Sequence, residues 1–149
     1  MSTDINKYNI QFNTFKLTEL NFTINKNYPT SEEHPAPIEI TPEIGAGFAI
    51  SGTKKCIVFL EVKITNSGAP FSFLIKGEAE FTFENEISEE KELTKLVHVN
   101  LLAIMYPFIR EPIAEITRKM GFSPLLLPPL NFVEIFKNIS QEQIKNKML

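Results

Sequence analysis

Phe71-Ser72-Phe73-Leu74-Ile75-Lys76-Gly77-Glu78-Ala79-Glu80-Phe81-Thr82-Phe83-Glu84 is the run that decides the fold. Phe71, Phe73, Ile75, Gly77, Ala79, Phe81 and Phe83 fall on one face of an extended chain, because strand side chains alternate with a period of two. Ser72, Lys76, Glu78, Glu80, Thr82 and Glu84 take the other face, and only Leu74 interrupts that polar row. One wet face and one apolar face describe an antiparallel sheet that needs a cover on one side.

Towards the N-terminus, Asn66-Ser67-Gly68 reads as a turn, preceded by a strand with Cys56, Val58, Leu60, Val62 and Ile64 on one face. Ser51 to Lys54 turns the chain, and Ile38 to Ile50 reads as the second strand, with Pro42 marking an edge or a break. Asn25 to Pro37 is a polar, proline-rich connection, long for a hairpin. In the first strand, from Tyr8, the apolar residues come in phased groups: Ile10 and Phe12, then Phe15 and Leu17, then Leu20, Phe22 and Ile24. An extra residue flips every later side chain to the opposite face, so the two phase slips predict bulges near Asn13 and near Thr18 to Glu19.

Towards the C-terminus the period changes to that of a helix. Ser88 is the expected N-cap, with Glu89 and Glu90 suited to the positive end of the helix dipole. Leu93, Leu96, Val97, Asn100, Leu101, Ile104, Met105, Phe108, Ile109, Ile113 and Ile116 make a wide stripe at helical spacing, suited to a sheet or a partner helix. Pro107 and Pro112 each remove a donor inside this stripe, which predicts a kink or two segments. Gly121 with Pro124 ends the helix, and Asn131 with Glu134 opens another as a capping box, ahead of Phe132, Val133, Ile135, Phe136 and Ile139. The expected fold is α+β, a four-stranded antiparallel sheet with a long kinked helix and a C-terminal helix on one side. It forms one domain over 1–149, with strands over about 8–84, the long helix over about 89–120, a proline-rich loop over 121–130 and the last helix over about 132–146.

The chain has 149 residues, 43% hydrophobic, enough for one real core. Its 15 basic and 18 acidic residues give a net charge of −3, which offers no footprint for nucleic acid and no basic stripe for a membrane surface. One cysteine, Cys56, excludes an intrachain disulfide, and no apolar run approaches a membrane span, so a cytoplasmic location is the expectation. Chemistry is sparse. Gly45-Ala46-Gly47 lacks the third glycine of a dinucleotide fingerprint, and His34 and His98 have no metal-spaced companions. Cys56 reads as a small core residue. Glu78, Glu80 and Glu84 share the wet face with no apolar enclosure, and neighbouring Arg110 and Glu111 point apart on a helix. No catalytic residue, metal or cofactor is expected, and the chain reads as no enzyme. The unusual feature is apolar supply: thirteen phenylalanines, no tryptophan, and a loop with Leu125, Leu126, Leu127 and Leu130 among prolines. Such a loop either closes the core or leaves an apolar surface groove for another protein.

One further stretch carries a family resemblance. Met105-Tyr106-Pro107-Phe108-Ile109-Arg110-Glu111-Pro112, then Gly121-Phe122, then Leu127-Pro128-Pro129-Leu130-Asn131-Phe132, resembles the SecB export chaperones. In that family the segment reads approximately Phe-Pro-Tyr-Ala-Arg-Glu, Gly-x-Phe-Pro and Leu-x-Pro-Val-Asn-Phe. The resemblance implies an ATP-independent holdase that binds unfolded polypeptides in apolar grooves and keeps them competent for export or folding. It also allows a dedicated SecB-like chaperone for one partner, such as an antitoxin. It implies a homotetramer, a dimer of dimers, in which Leu93, Leu96, Val97, Leu101, Ile104, Met105 and Phe108 lie at the oligomer interface. Client binding maps to Ile38, Ile40, Leu126, Leu127, Leu130, Phe132, Ile135 and Phe136. Glu19 and Leu74 match the patch that docks the motor SecA, but Thr23 and Lys76 stand where the family has acids, and the chain shows two lysines, Lys145 and Lys147, in place of a long tail. SecA docking is therefore doubtful.

Overall fold

In the computed structural model, residues 8–26, 41–65 and 69–137 are described. Four strands, β1 (Ile10–Ile24), β2 (Glu43–Ser51), β3 (Lys55–Ile64) and β4 (Phe71–Phe83), precede the helices α1 (Glu90–Leu96) and α2 (Leu102–Lys119), and a short helix α3 follows over 132–137. The strands form one antiparallel sheet in the order β1-β4-β3-β2, so the connection from β1 to β2 joins the two edges of the sheet. Ile38 and Ile40, expected at the start of the second strand, lie outside the described residues, and β2 begins at Glu43.

The β1 register breaks between Phe12 and Thr14 and again between Leu17 and Glu19, at the two phase slips in the sequence. Both breaks serve the same end. With Asn13 and Thr18 left out of the pairing, Ile10, Phe12, Phe15, Leu17, Leu20, Phe22 and Ile24 stand opposite Phe83, Phe81, Ala79, Gly77, Ile75, Phe73 and Phe71. Every apolar side chain of β1 thus joins the apolar row of β4. The Asn13 side chain fixes its bulge by donating to Glu80 Oε2 at 3.1 Å and to Thr82 Oγ1 at 2.6 Å on the wet face.

The core lies between this apolar face and the helices. Gly77 marks the closest approach: a Cβ there would meet Phe15 ring carbons at 2.6 and 2.7 Å and Ile109 Cδ1 at 2.9 Å. Phe12 packs edge-on to Phe81, and Phe108 of α2 stacks over Phe12 at 5.4 Å between ring centres.

Three helical expectations are corrected. The N-cap is Glu89 rather than Ser88; its extended backbone and its carbonyl, which accepts the Leu93 N–H at 3.0 Å, start α1 one residue later. The long helix is divided at a π turn, Val97–Leu101, where the Leu102 N–H reaches back five residues to the Val97 carbonyl, and it is not divided at the prolines. Pro107 and Pro112 sit inside a continuous α2, with Pro107 exposed and Pro112 half-buried, so water can serve the carbonyls that lose a donor. The third correction concerns the stripe. Leu93, Leu96, Val97, Leu101 and Met105 are buried in the chain's own core and are not free to meet a partner. Ile104 is half-buried and Phe108 is 43% exposed.

Candidate functional site

The proline-rich loop after α2 is fastened at two points. Gly121, in the left-handed region at φ 98°, ends the helix, and the Phe122 N–H returns to the Thr117 carbonyl at 3.1 Å. Buried Thr117 then holds the loop: its hydroxyl lies 2.8 Å from the Ile113 carbonyl and accepts the Leu125 N–H at 2.9 Å. Further along, the Tyr106 hydroxyl donates to the Pro128 carbonyl at 2.8 Å. Burial raises the Tyr106 phenol above its ordinary pKa, against the opposing pull of Arg110, whose guanidinium lies 5.6 Å from the ring centre. The phenol stays a donor.

Between the two anchors, side chains alternate along the extended loop. Leu127 is buried and Leu126 is 74% exposed, with Leu125 and Leu130 half-buried. Asn131 accepts the Glu134 N–H at 3.2 Å and caps α3, as the sequence predicts. Phe132 goes inward, edge-on to Tyr106 at 5.5 Å, whereas Val133 is 46% exposed and Ile135 and Phe136 are half-buried.

Phe136 leads from α3 towards the π turn and β2. His98 of the π turn is buried, its Nδ1 2.9 Å from the Thr94 carbonyl. Its ring centre lies 5.6 Å from that of Phe136 and 6.3 Å from that of Phe48 on β2. The apolar side of β2, the π turn and α3 therefore converge on one imidazole, with Ile50 exposed further along β2.

Of the eight residues assigned to client binding, Leu126, Leu130, Ile135 and Phe136 keep surface, and Leu127 and Phe132 are anchors in the core. Ile38 and Ile40 fall outside the described residues. Sequence reasoning missed Phe48, Ile50 and His98. Alternation in β2 gives Phe48 and Ile50 a common face, and His98 follows the buried Leu93 and Val97 on the helix, but neither signal says what stands opposite.

A second apolar surface runs along the β1 edge. Leu17, Leu20 and Ile24 are 40%, 48% and 46% exposed on the sheet face that carries the core, beside the exposed Phe108.

The opposite face is a grid of charges. Lys16 pairs with Glu78, Lys55 with Glu80, Lys63 with Glu43 and Lys76 with Glu19, at 3.2–3.6 Å. Glu19, singled out for docking, is thus matched by Lys76 of the neighbouring strand, and half-buried Leu74 lies in a shallow depression with Asn21, Thr23 and Ser72.

Among the described residues no group of three or more His, Cys, Asp or Glu is placed to hold a metal ion, and burial pushes the Cys56 thiol up to about 12. Among the described residues no helix is long and apolar enough to cross a membrane.

Comparison with known proteins matches this geometry. The family model described as preprotein translocase subunit SecB matches residues 51–143, which span β3, β4, the helices and the loop. The protein-export protein SecB of Nitrobacter winogradskyi is 28% identical over 123 residues, covering 80% of this chain and 76% of that protein. That of Bradyrhizobium diazoefficiens is 30% identical over 124 residues, with 80% and 76% covered. Among solved structures, a SecB-like chaperone of Mycobacterium tuberculosis, in complex with a peptide from the HigA1 antitoxin, has a TM-score of 0.64 at 18% identity, covering 85% of this chain and 93% of that one. A Streptococcus agalactiae protein of unknown function has a TM-score of 0.53 at 16% identity, covering 80% and 96%. At such identities the likeness concerns the fold.

Proposed function

Because the chain belongs to the SecB family, we propose that it is a holdase that binds non-native polypeptides without ATP, through the apolar surface of the proline-rich loop, α3 and β2. The observation that carries this reading is Leu126. A loop tied down by Thr117 and Tyr106 holds one leucine in the core and the next one out in water. An exposed leucine on a fastened loop is a preorganised contact.

Burying one large apolar side chain contributes about 1.5–3 kcal/mol before ordering costs, so a single site of this kind holds an extended segment weakly. Several copies acting on one unfolded chain raise the avidity through effective concentration, and each contact still exchanges quickly. A homotetramer provides those copies. In this reading the β1 edge, with Leu17, Leu20, Ile24 and Phe108, is the surface that another subunit covers. Release follows client folding or handover, since binding only the unfolded state works by mass action. Engagement of SecA through Glu19 and Leu74 is disfavoured, because Lys76 neutralises the carboxylate that a basic partner would need.

A dedicated chaperone for one partner is the second reading. It is favoured by the mycobacterial neighbour, which shares the fold and was solved with an antitoxin peptide. One experiment separates the two: suppression of aggregation of two unrelated chemically unfolded proteins, with the mass of the chain measured by light scattering on the same sample. Protection of both by a tetramer supports the general holdase. A stable chain that protects neither rejects it and favours the dedicated partner.

A further inference from the structure

His98 is the polar group that the apolar site leaves unexplained. It is only 6% exposed, and its ring is held from three sides. Nδ1 lies 2.9 Å from the Thr94 carbonyl of α1, the Phe136 ring of α3 is tilted over it at 5.6 Å between centres, and the Phe48 ring of β2 stands at 80° to it at 6.3 Å. A carbonyl oxygen can only accept, so Nδ1 carries the proton, and in the neutral ring Nε2 is then a bare acceptor. The helix sets the tautomer.

Because Nδ1 bonds back along the helix, Nε2 is the nitrogen turned away from its own turn. It has no hydrogen-bond partner among the described residues. Unlike Asn100 Oδ1 on the same π turn, which is sealed without a partner, Nε2 is not cut off from the surface. As filler between two phenylalanines an imidazole is a poor choice, since an unmatched acceptor is costly to desolvate. The surface of β2, the loop and α3 is otherwise carried by apolar side chains, among them Phe48, Ile50, Leu126, Ile135 and Phe136. Such a surface supplies area but no direction. An extended polypeptide laid on it gives up water at its main-chain N–H groups, and each of those needs a new acceptor.

We propose that His98 Nε2 accepts a hydrogen bond from a main-chain N–H of the bound polypeptide, which makes His98 the residue that orients the segment on the apolar surface. This role presupposes that the loop, α3 and β2 hold polypeptide, as proposed above. Hydroxyl and ammonium donors depend on the sequence of the client, whereas the main-chain amide is a donor that every unfolded chain carries. The lone pair is preorganised, because Thr94, Phe48 and Phe136 fix the ring before anything binds.

The test is an NMR titration of the full-length chain with acetyl-Ser-Val-Phe-Val-Ser-amide and with three analogues, each N-methylated at one of the apolar residues. Long-range proton–nitrogen correlation spectra read the two nitrogens of His98 directly. The free protein should carry the proton on Nδ1, and the Nε2 resonance should move towards hydrogen-bonded values as the peptide saturates. One analogue should bind about fivefold more weakly than the parent peptide, the worth of one hydrogen bond. His98→Gln places an amide oxygen near the Nε2 position and should keep that preference, whereas His98→Asn reaches only as far as Nδ1 and should lose it. The ratio is taken within each variant, so a loss of stability cancels, and the Val97 N–H still serves the Thr94 carbonyl in both. Equal discrimination in wild type and His98→Asn, an Nε2 resonance unmoved at saturation, or the proton on Nε2 in the free protein would overturn the proposal even where shifts at Leu126 and Phe136 uphold the site. No shift at any of these residues would overturn the polypeptide site itself, and this role with it.

Discussion

Gly77→Ala tests how the sheet and α2 meet. The new Cβ would lie 2.6 and 2.7 Å from two Phe15 ring carbons and 2.9 Å from Ile109 Cδ1. The Ile109 contact is with the end of a flexible side chain and can swing aside. The Phe15 ring is rigid and packs against Phe108 with centroids 5.3 Å apart, so the ring and its strand must shift. Overpacking of this kind costs about 1–3 kcal/mol. Replacing a strand glycine by alanine returns about 0.5–1 kcal/mol of backbone entropy. The expected net loss is about 1–2 kcal/mol, measured by equilibrium urea unfolding at fixed protein concentration, because association shifts apparent stability. Phe15→Leu supplies the control, since it shortens the side chain that obstructs the methyl. In that background Gly77→Ala should be neutral or stabilising, which makes the coupling energy about 1–2 kcal/mol. If Gly77→Ala stabilises the wild-type background as much as the Phe15→Leu background, the close approach of ring and strand is not what the glycine serves.

Three other outcomes are expected. Leu126→Ser should leave unfolding within about 0.5 kcal/mol of wild type, because the side chain is 74% exposed, and should sharply reduce protection of unfolded proteins; unchanged protection would move the site elsewhere. Tyr106→Phe should cost about 1 kcal/mol for the lost hydrogen bond to Pro128, and faster amide exchange in 123–130 should accompany it. Cys56 titrates near 12 in the folded chain against 9.0 when unfolded, so the folded state binds the extra proton between those values. Its contribution to stability is fully present below about pH 9 and declines as pH rises towards 12. A thiol reagent at pH 8 should therefore modify Cys56 only on unfolding, and rapid modification of the native chain would contradict its burial.

Much of the fold was legible because the apolar residues themselves report the sheet. The groups Ile10 and Phe12, Phe15 and Leu17, and Leu20, Phe22 and Ile24 are out of phase in sequence and in phase in space, and the two bulges reconcile them. The capping asparagine at 131 was equally legible, since its partner is only three residues away. What the sequence did not reveal is what each apolar face meets. The stripe from Leu93 to Met105 fits a sheet or a partner helix equally well by periodicity, and only the three-dimensional packing assigns it to the chain's own core. The π turn was hidden for a related reason: Val97 to Leu101 has ordinary helical spacing, and a hydrogen bond that reaches one residue further leaves no mark in composition. Within the site, Leu125, Leu126 and Leu127 are chemically identical. The anchors at Thr117 and Tyr106, which lie on the preceding helix, decide which leucine is buried.

Both exposed apolar surfaces follow from one geometric shortfall. Four strands spaced about 4.8 Å apart make a sheet roughly 19 Å wide, and the fifteen residues of β1 extend to about 50 Å. α1, the π turn and α2 form one continuous helical run of about 45 Å, close to the length of β1, but only about 10–12 Å across, too narrow to cover that face. Phe122, 5.1 Å from Phe71, and Phe22, stacked on Phe73 at 4.9 Å, extend the cover at one end. What remains open is the length of β1 beyond Phe108 and the side of β2 that faces α3. A chain that folded only for its own stability would trim such residues, since exposed leucine and isoleucine invite association. Under the proposed function the uncovered edges would divide the labour, with the β1 edge for another copy and the β2 side for a polypeptide that has not yet buried its own core.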